Sequence, residues 1–308
     1  MTIPAGLLPS CLIPEVYAVW KDQPGFVAGR VERIVADGFF RSVELSPVHE
    51  KADRDRIRKV CAERSVFVGV WLTSVLEREG LDFCAVDEAA RQRAVEATKR
   101  LLPPSLECGA QVVALVGGND PGPDLRERAY DSCYRSLVEI SAAAEDLGAS
   151  VMMEPLDRFA HKKRLCGPTD EAVALFARVR AEHPRFGFAF DTAHAALNQE
   201  DVAASVALAG EQVVNLHLSN AVLDKADPLY GDHHMMPGAP GFLTVSAAAE
   251  ILEETARVGR RFGRDIRIAV EARALAGSAE EQTADIAFDF LKAALAETEA
   301  RLATDAAK

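Results

Sequence analysis

Residues 150–194 read SVMMEPLDRFAHKKRLCGPTDEAVALFARVRAEHPRFGFAFDTAH. The apolar run that starts at Ser150 ends in the carboxylate of Glu154, and the run that starts at Phe186 ends in that of Asp191. Between them Asp170–Ala181 places apolar residues at three- and four-residue steps, the period of an amphipathic helix. Strand, helix, strand is the unit that joins parallel strands, because a parallel pair needs a long crossover where an antiparallel pair needs only a turn. Both strands then finish at the same end of the sheet, each on an ionisable residue.

The same alternation extends in both directions. Short β-branched or apolar runs recur at Leu7–Ile13, Phe39–Ser46, Val66–Leu72, Gln111–Gly117, Val213–His217 and Ile266–Glu271, which makes eight in all. Helix-period segments at Arg91–Leu102, Arg126–Leu147, Val245–Phe262 and Ala279–Leu302 lie between and after them. Eight βα repeats predict a closed (β/α)8 TIM barrel of the α/β class, a single domain over residues 1–308. The competing architecture is an open doubly wound sheet, but the Gly-x-Gly-x-x-Gly phosphate loop expected after its first strand is missing. One long stretch without helical period, Ser219–Leu243, interrupts the pattern, and loops of that length in compact domains are usually functional.

Composition narrows the functional classes. A formal charge of −12 opposes a polyanion and argues against nucleic acid as a partner. No apolar run reaches the roughly 20 residues of a membrane helix, and the N-terminal residues do not read as a signal peptide, so the expectation is a cytoplasmic protein with no membrane partner. Cys11, Cys61, Cys84, Cys108, Cys133 and Cys166 form no Cys-x-x-Cys pair and read as structural thiols in a reducing compartment.

In such barrels the chemistry comes from the C-terminal ends of the strands. There the fifth to eighth runs present Glu154, Asp191, His217 and Glu271. Three carboxylates and one imidazole offer mostly hard donors, suited to one divalent cation, Mn2+ ahead of Mg2+, Co2+ or Zn2+. The alternative is four separate structural ion pairs at the barrel rim.

With those residues in place, the chain resembles the xylose isomerase-like barrels, which include ketohexose 3-epimerases, hydroxypyruvate isomerase, inosose dehydratase and apurinic-site endonucleases. The resemblance rests on Glu154-Pro155, Asp191-Thr-Ala-His194, His217-Leu-Ser and Glu271. It implies that Glu154, Asp191, His217 and Glu271 hold the metal, that Glu154 and Glu271 also act as acid and base on opposite substrate faces, and that His194 binds substrate. A divalent ion bridging a carbonyl and a neighbouring hydroxyl stabilises an enediolate, and two carboxylates across it can take and return a proton. The endonucleases add histidines at the third and fourth strand ends, which here read Trp71-Leu72-Thr73 and Val116-Gly117-Gly118-Asn119. Repair of DNA is therefore not expected.

Further candidates surround this core. Tyr230-Gly-Asp232-His233-His234-Met-Met-Pro-Gly238 matches an element of the same superfamily and makes Asp232 and His234 substrate or second-ion contacts, or else solvated loop residues; the segment Asp224–Gly238 is expected to close over the pocket as a lid. Glu44 ends the second strand and either touches substrate or pairs within the barrel mouth. The loop from Asp157 offers Arg158, His161, Lys162 and Lys163 to a carboxylate or phosphate of a substrate, Arg158 first among them, or else is a solvated basic loop. Arg273 faces the pocket or the outer layer, and Trp20 and Trp71 form an apolar wall or pack in the core. The leading expectation is a sugar isomerase or epimerase on a small carbohydrate. A lyase, decarboxylase or dehydratase on an oxo-sugar, C-glycoside cleavage included, is the alternative, and a non-catalytic sugar-binding subunit is the third. A homo-oligomer or an accessory-subunit role is left open.

Overall fold

The computed structural model describes residues 2–17, 23–273 and 280–306. Trp20 lies outside the described residues. Among the described residues nine strands form one sheet: β1 (Leu7–Leu12), β2 (Ser42–Leu45), β3 (Phe67–Trp71), β4 (Val112–Val116), β5 (Ser150–Glu154), β6 (Gly187–Asp191), β7 (Val213–Val222), β8 (Gly231–Met235) and β9 (Ile266–Glu271). All but β8 pair in parallel with neighbours on both sides, and the β6–β7 and β1–β9 pairings close them into an eight-stranded (β/α)8 barrel. Helices such as Glu88–Leu106, Pro123–Asp146, Thr169–Glu182 and Val245–Arg261 run between strands and bury their apolar faces outside the sheet.

The period of two along each strand sets which side chains enter the barrel. Met152, Ala189 and Ala269 pack in one interior cluster with Leu12, Trp71, Val112 and Ala114. Two residues further on, Glu154, Asp191 and Glu271 fall on the same inward face, one layer higher. His217 pairs with Asp191 on one side and Ala269 on the other, which brings it into line with them. The sequence-based strand ends therefore coincide with the mouth of the barrel.

The stretch Ser219–Leu243, read from the sequence as one long loop, is partly strand. β7 runs on past the barrel rim to Val222 and turns back through β8 as an antiparallel hairpin. The register shifts between Asn220 and Ala221, and His234 takes up the irregularity with φ at 50°. Gly231, at φ 116°, lies so near His161 that a Cβ there would stand 2.9 Å from the ring, so only glycine fits the turn into β8. All six cysteines are free and buried. Among the described residues no helix is long and apolar enough to cross a membrane.

Candidate metal centre and active site

Glu154, Asp191, His217 and Glu271 each offer one ligand atom, and these atoms all lie within 4.8 Å of one another. Three of the four are almost inaccessible, and Glu271 is partly open to the pocket above. The sequence Asp191-Thr-Ala-His194 folds into the start of the short helix Thr192–Leu197, where Asp191 Oδ1 caps the backbone N–H of His194 at 3.0 Å. Its Oδ2 is buried without a hydrogen-bond partner among the described residues. A buried carboxylate oxygen left so is costly, and a cation among these four groups is the partner that would satisfy it. The donor set fits a divalent ion.

His217 has different neighbours at its two nitrogens. Nδ1 lies 2.8 Å from Glu271 Oε2 and 3.7 Å from Glu154 Oε1, while Nε2 lies 2.9 Å from Glu44 Oε2. Burial works against a charged imidazole, but Glu44, Glu154 and Glu271 outweigh it and hold His217 well above the ordinary histidine range. Burial, reinforced by Glu271 and Glu154, pushes the Asp191 carboxyl far up. Glu154 is raised as well, by burial and then by Glu271 against the opposing His217. For Glu271 the balance reverses: His234 and His217 overcome its burial and hold it at about 2. Neighbouring carboxylates thus occupy unequal environments, the condition for one to hold a proton while another is free to accept one.

A pocket opens above this cluster. Its wall includes Leu12, Pro14, Trp71, Val116 and Leu156 on the apolar side and Glu15, Lys162, Arg164, His194, His234 and Arg273 on the polar side. Trp71, with its ring 5.1 Å from that of His217, lines this wall. The β7–β8 hairpin turns Asp232 and His234 inward. Asp232 is 1% exposed, with Oδ2 3.0 Å from Lys162 Nζ, 3.2 Å from His234 Nε2 and 3.8 Å from His194 Nε2. His194 Nδ1 meets Asp157 at 3.1 Å, and Asp191 and Asp157 carry its pKa to about 9 against the effect of burial.

Two of the substrate-contact candidates are not among the residues that line this pocket. Arg158 does not reach the pocket: its guanidinium turns outward to Glu171 at 2.8 and 2.9 Å and to Tyr130 Oη at 2.5 Å, because the tight loop after Glu154 points successive side chains to different sides. Lys162, four residues on, enters the site, and Arg164 reaches the same pocket wall. Glu44 is fully buried beneath His217 and takes the second of its two alternatives, pairing inside the barrel.

Sequence reasoning also missed Glu15, in the short helix Ile13–Val16 after β1. Its carboxylate is gripped by Arg273 at 2.8 and 2.9 Å and lies 3.0 Å from His234 Nδ1, so Arg273 stands on the pocket wall rather than the outer layer. Glu15, His234 and Glu271 also bring ligand atoms within 4.8 Å of one another, but the Arg273 guanidinium already neutralises that corner. The residue type of Glu15, a carboxylate a few positions after a strand end, was the one signal available.

In a barrel of this kind the closed sheet supplies rigidity, and its C-terminal mouth gathers ionisable groups from successive strand ends around one pocket. The chain belongs to the xylose isomerase-like TIM barrel family, whose model matches residues 31–294. Among solved structures it is similar to a D-psicose 3-epimerase from Clostridium cellulolyticum H10 crystallised with D-tagatose, at 16% identity, covering 97% of this chain and 98% of that one with a TM-score of 0.64. An L-ribulose 3-epimerase matches at 15% identity over 97% of both chains, TM-score 0.73. The IOLI protein with a binding zinc atom matches at 13% identity, over 95% of this chain and 99% of that one, TM-score 0.70. At these identities the likeness is one of fold. Among curated protein sequences none matches the chain.

Proposed function

We propose that this protein is a divalent-metal-dependent sugar isomerase or epimerase. The observation that carries the reading is the meeting of Glu154, Asp191, His217 and Glu271 beneath one pocket, with a buried Asp191 oxygen that no group among the described residues satisfies. The neighbours named as 3-epimerases and the zinc-binding neighbour support the same direction.

Glu154, Asp191, His217 and Glu271 would hold the ion, with Mn2+ the best match to three carboxylates and one imidazole. When bound, such an ion supplies Lewis-acid polarisation of a carbonyl oxygen. The protein's own groups do the rest. Glu154 and Glu271 stand on strands separated by β6 and β7 around the barrel, so one carboxylate takes a proton from carbon on one face and the other returns one from the opposite face. His194, held by Asp157, and Lys162, held by Asp232, donate hydrogen bonds to substrate oxygens. Trp71 and Leu156 keep water from the reacting carbon.

Isotope exchange tests the proposal. Candidate ketoses incubated in deuterated water with Mn2+ should incorporate deuterium next to the carbonyl and yield an epimer or isomer; neither product across a broad panel refutes it. The Lys162 ammonium favours one second reading, a lyase or dehydratase on an oxo-sugar, because a half-buried cation on the pocket wall can protonate a leaving group. Water loss, carbon dioxide or a released aglycone from a 3-oxo substrate distinguishes that outcome.

A further inference from the structure

Glu44 is fully buried, yet the groups that meet it are donors. Ser10 Oγ donates to Oε1 at 2.8 Å, and Trp71 Nε1 and Asn215 Nδ2 donate to Oε2 at 2.8 and 3.2 Å. An indole N–H cannot accept, and Asn215 has its oxygen turned the other way, accepting from Arg267 Nε at 3.2 Å. Arg267 has only donors to offer, so the amide orientation is fixed from below. A carboxylate surrounded in this way is an acceptor, and the fourth group on it, His217 Nε2 at 2.9 Å, carries its proton there.

We propose that Glu44 is a positioning residue for the metal centre: it holds the proton of His217 on Nε2 and so turns Nδ1, with its lone pair, toward Glu154 and Glu271. The proposal rests on reading the four-residue cluster as a cation site. It assigns a task to the chain Arg267, Asn215, Glu44, which spans β9, β7 and β2 inside the barrel and reaches neither ion nor substrate. A ligating imidazole whose remote nitrogen is bonded to a carboxylate is fixed in both rotation and tautomer, and loss of such a partner typically weakens metal binding by 10–100-fold. Because Trp71 hangs on the same oxygen, one carboxylate sets both a ligand and a wall of the pocket.

The test is Mn2+ titration followed by electron paramagnetic resonance of the whole chain. The parent should bind about one equivalent; if it binds none, the cation-site reading fails and this proposal with it. Given a binding parent, Glu44→Met, which removes the acceptor at similar length, should weaken binding at least tenfold. Glu44→Gln should recover most of it, since its amide can face Ser10 with nitrogen and still accept from His217 with oxygen. Ser10→Ala should bind within about threefold of the parent. A cooperatively melting Glu44→Met variant with parental affinity, or one indistinguishable from Glu44→Gln, overturns the proposal. If Glu44→Met does not fold, nitrogen-15 histidine spectra of the zinc-loaded parent decide: a proton on Nε2 of His217 supports the assignment, and a metal-bound Nε2 ends it.

Discussion

Asp232 is the group whose removal the structure prices most directly. Its carboxylate is 1% exposed and sits 3.0 Å from Lys162 Nζ and 3.2 Å from His234 Nε2. At an effective dielectric of about 20 each contact is worth about 5 kcal/mol of Coulomb attraction, most of which offsets the desolvation of the charges. Asp232→Asn keeps the shape and removes the charge, leaving two cations against an uncharged amide. Breaking one side of a buried pair costs roughly 3–5 kcal/mol, and the lower figure applies because Lys162 keeps a quarter of its side chain exposed. About 3 kcal/mol lowers Tm by roughly 6 °C at about 2 °C per kcal/mol. His234 changes too: it is held at about 11 because Glu271, Asp232 and Glu15 outweigh its burial, and it should titrate lower in the variant. The assay is thermal melting by circular dichroism at pH 7 with chelator present, with exposed Lys225→Ala as a control expected to stay within about 0.5 kcal/mol. A variant that melts with the parent would show that these contacts do not hold the β7–β8 hairpin in place.

Three further outcomes are expected. Glu271→Gln should abolish turnover more completely than Mn2+ binding, because an amide oxygen still donates a lone pair but accepts no proton; turnover within about tenfold of the parent, or roughly 1.4 kcal/mol, refutes the acid–base role. Replacing both Asp232 and His234 by Ala should raise KM or lower kcat at least about tenfold, and unchanged kinetics would reduce the hairpin to a connection. Divalent-ion binding should release protons. His217 is held protonated at neutral pH by its carboxylate neighbours and must give up the proton on Nδ1 to act as a ligand, so affinity should rise with pH, about tenfold per unit for each proton released. Calorimetry in two buffers of different ionisation enthalpy measures that number, and zero would contradict the assigned ligand set.

The sequence by itself determined the barrel and the four residues on its floor. Alternating strand and helix periods are local properties, and a strand's period of two carries inward orientation along with it. A reader who finds where each apolar run stops therefore finds Glu154, Asp191, His217 and Glu271 together. The expectation for Asp232 and His234 rested on an element shared with the superfamily, and the hairpin that turns them inward was read only as a long loop. Tertiary structure decided what lies between strands and at what depth. Arg158 and Lys162 are four residues apart in one loop of like charge, and only the packing of that loop against Tyr130 and Glu171 sends the first outward and the second into the pocket. Glu44 read correctly as inward-facing, but its depth beneath His217 depends on the stagger between β2 and β7, which lie on different sides of the barrel and share no local pattern. Glu15 and Arg273 meet across 258 residues of chain because β1 and β9 are neighbours in the closed sheet. Closure is a property of the whole ring of strands, and no window of sequence contains it.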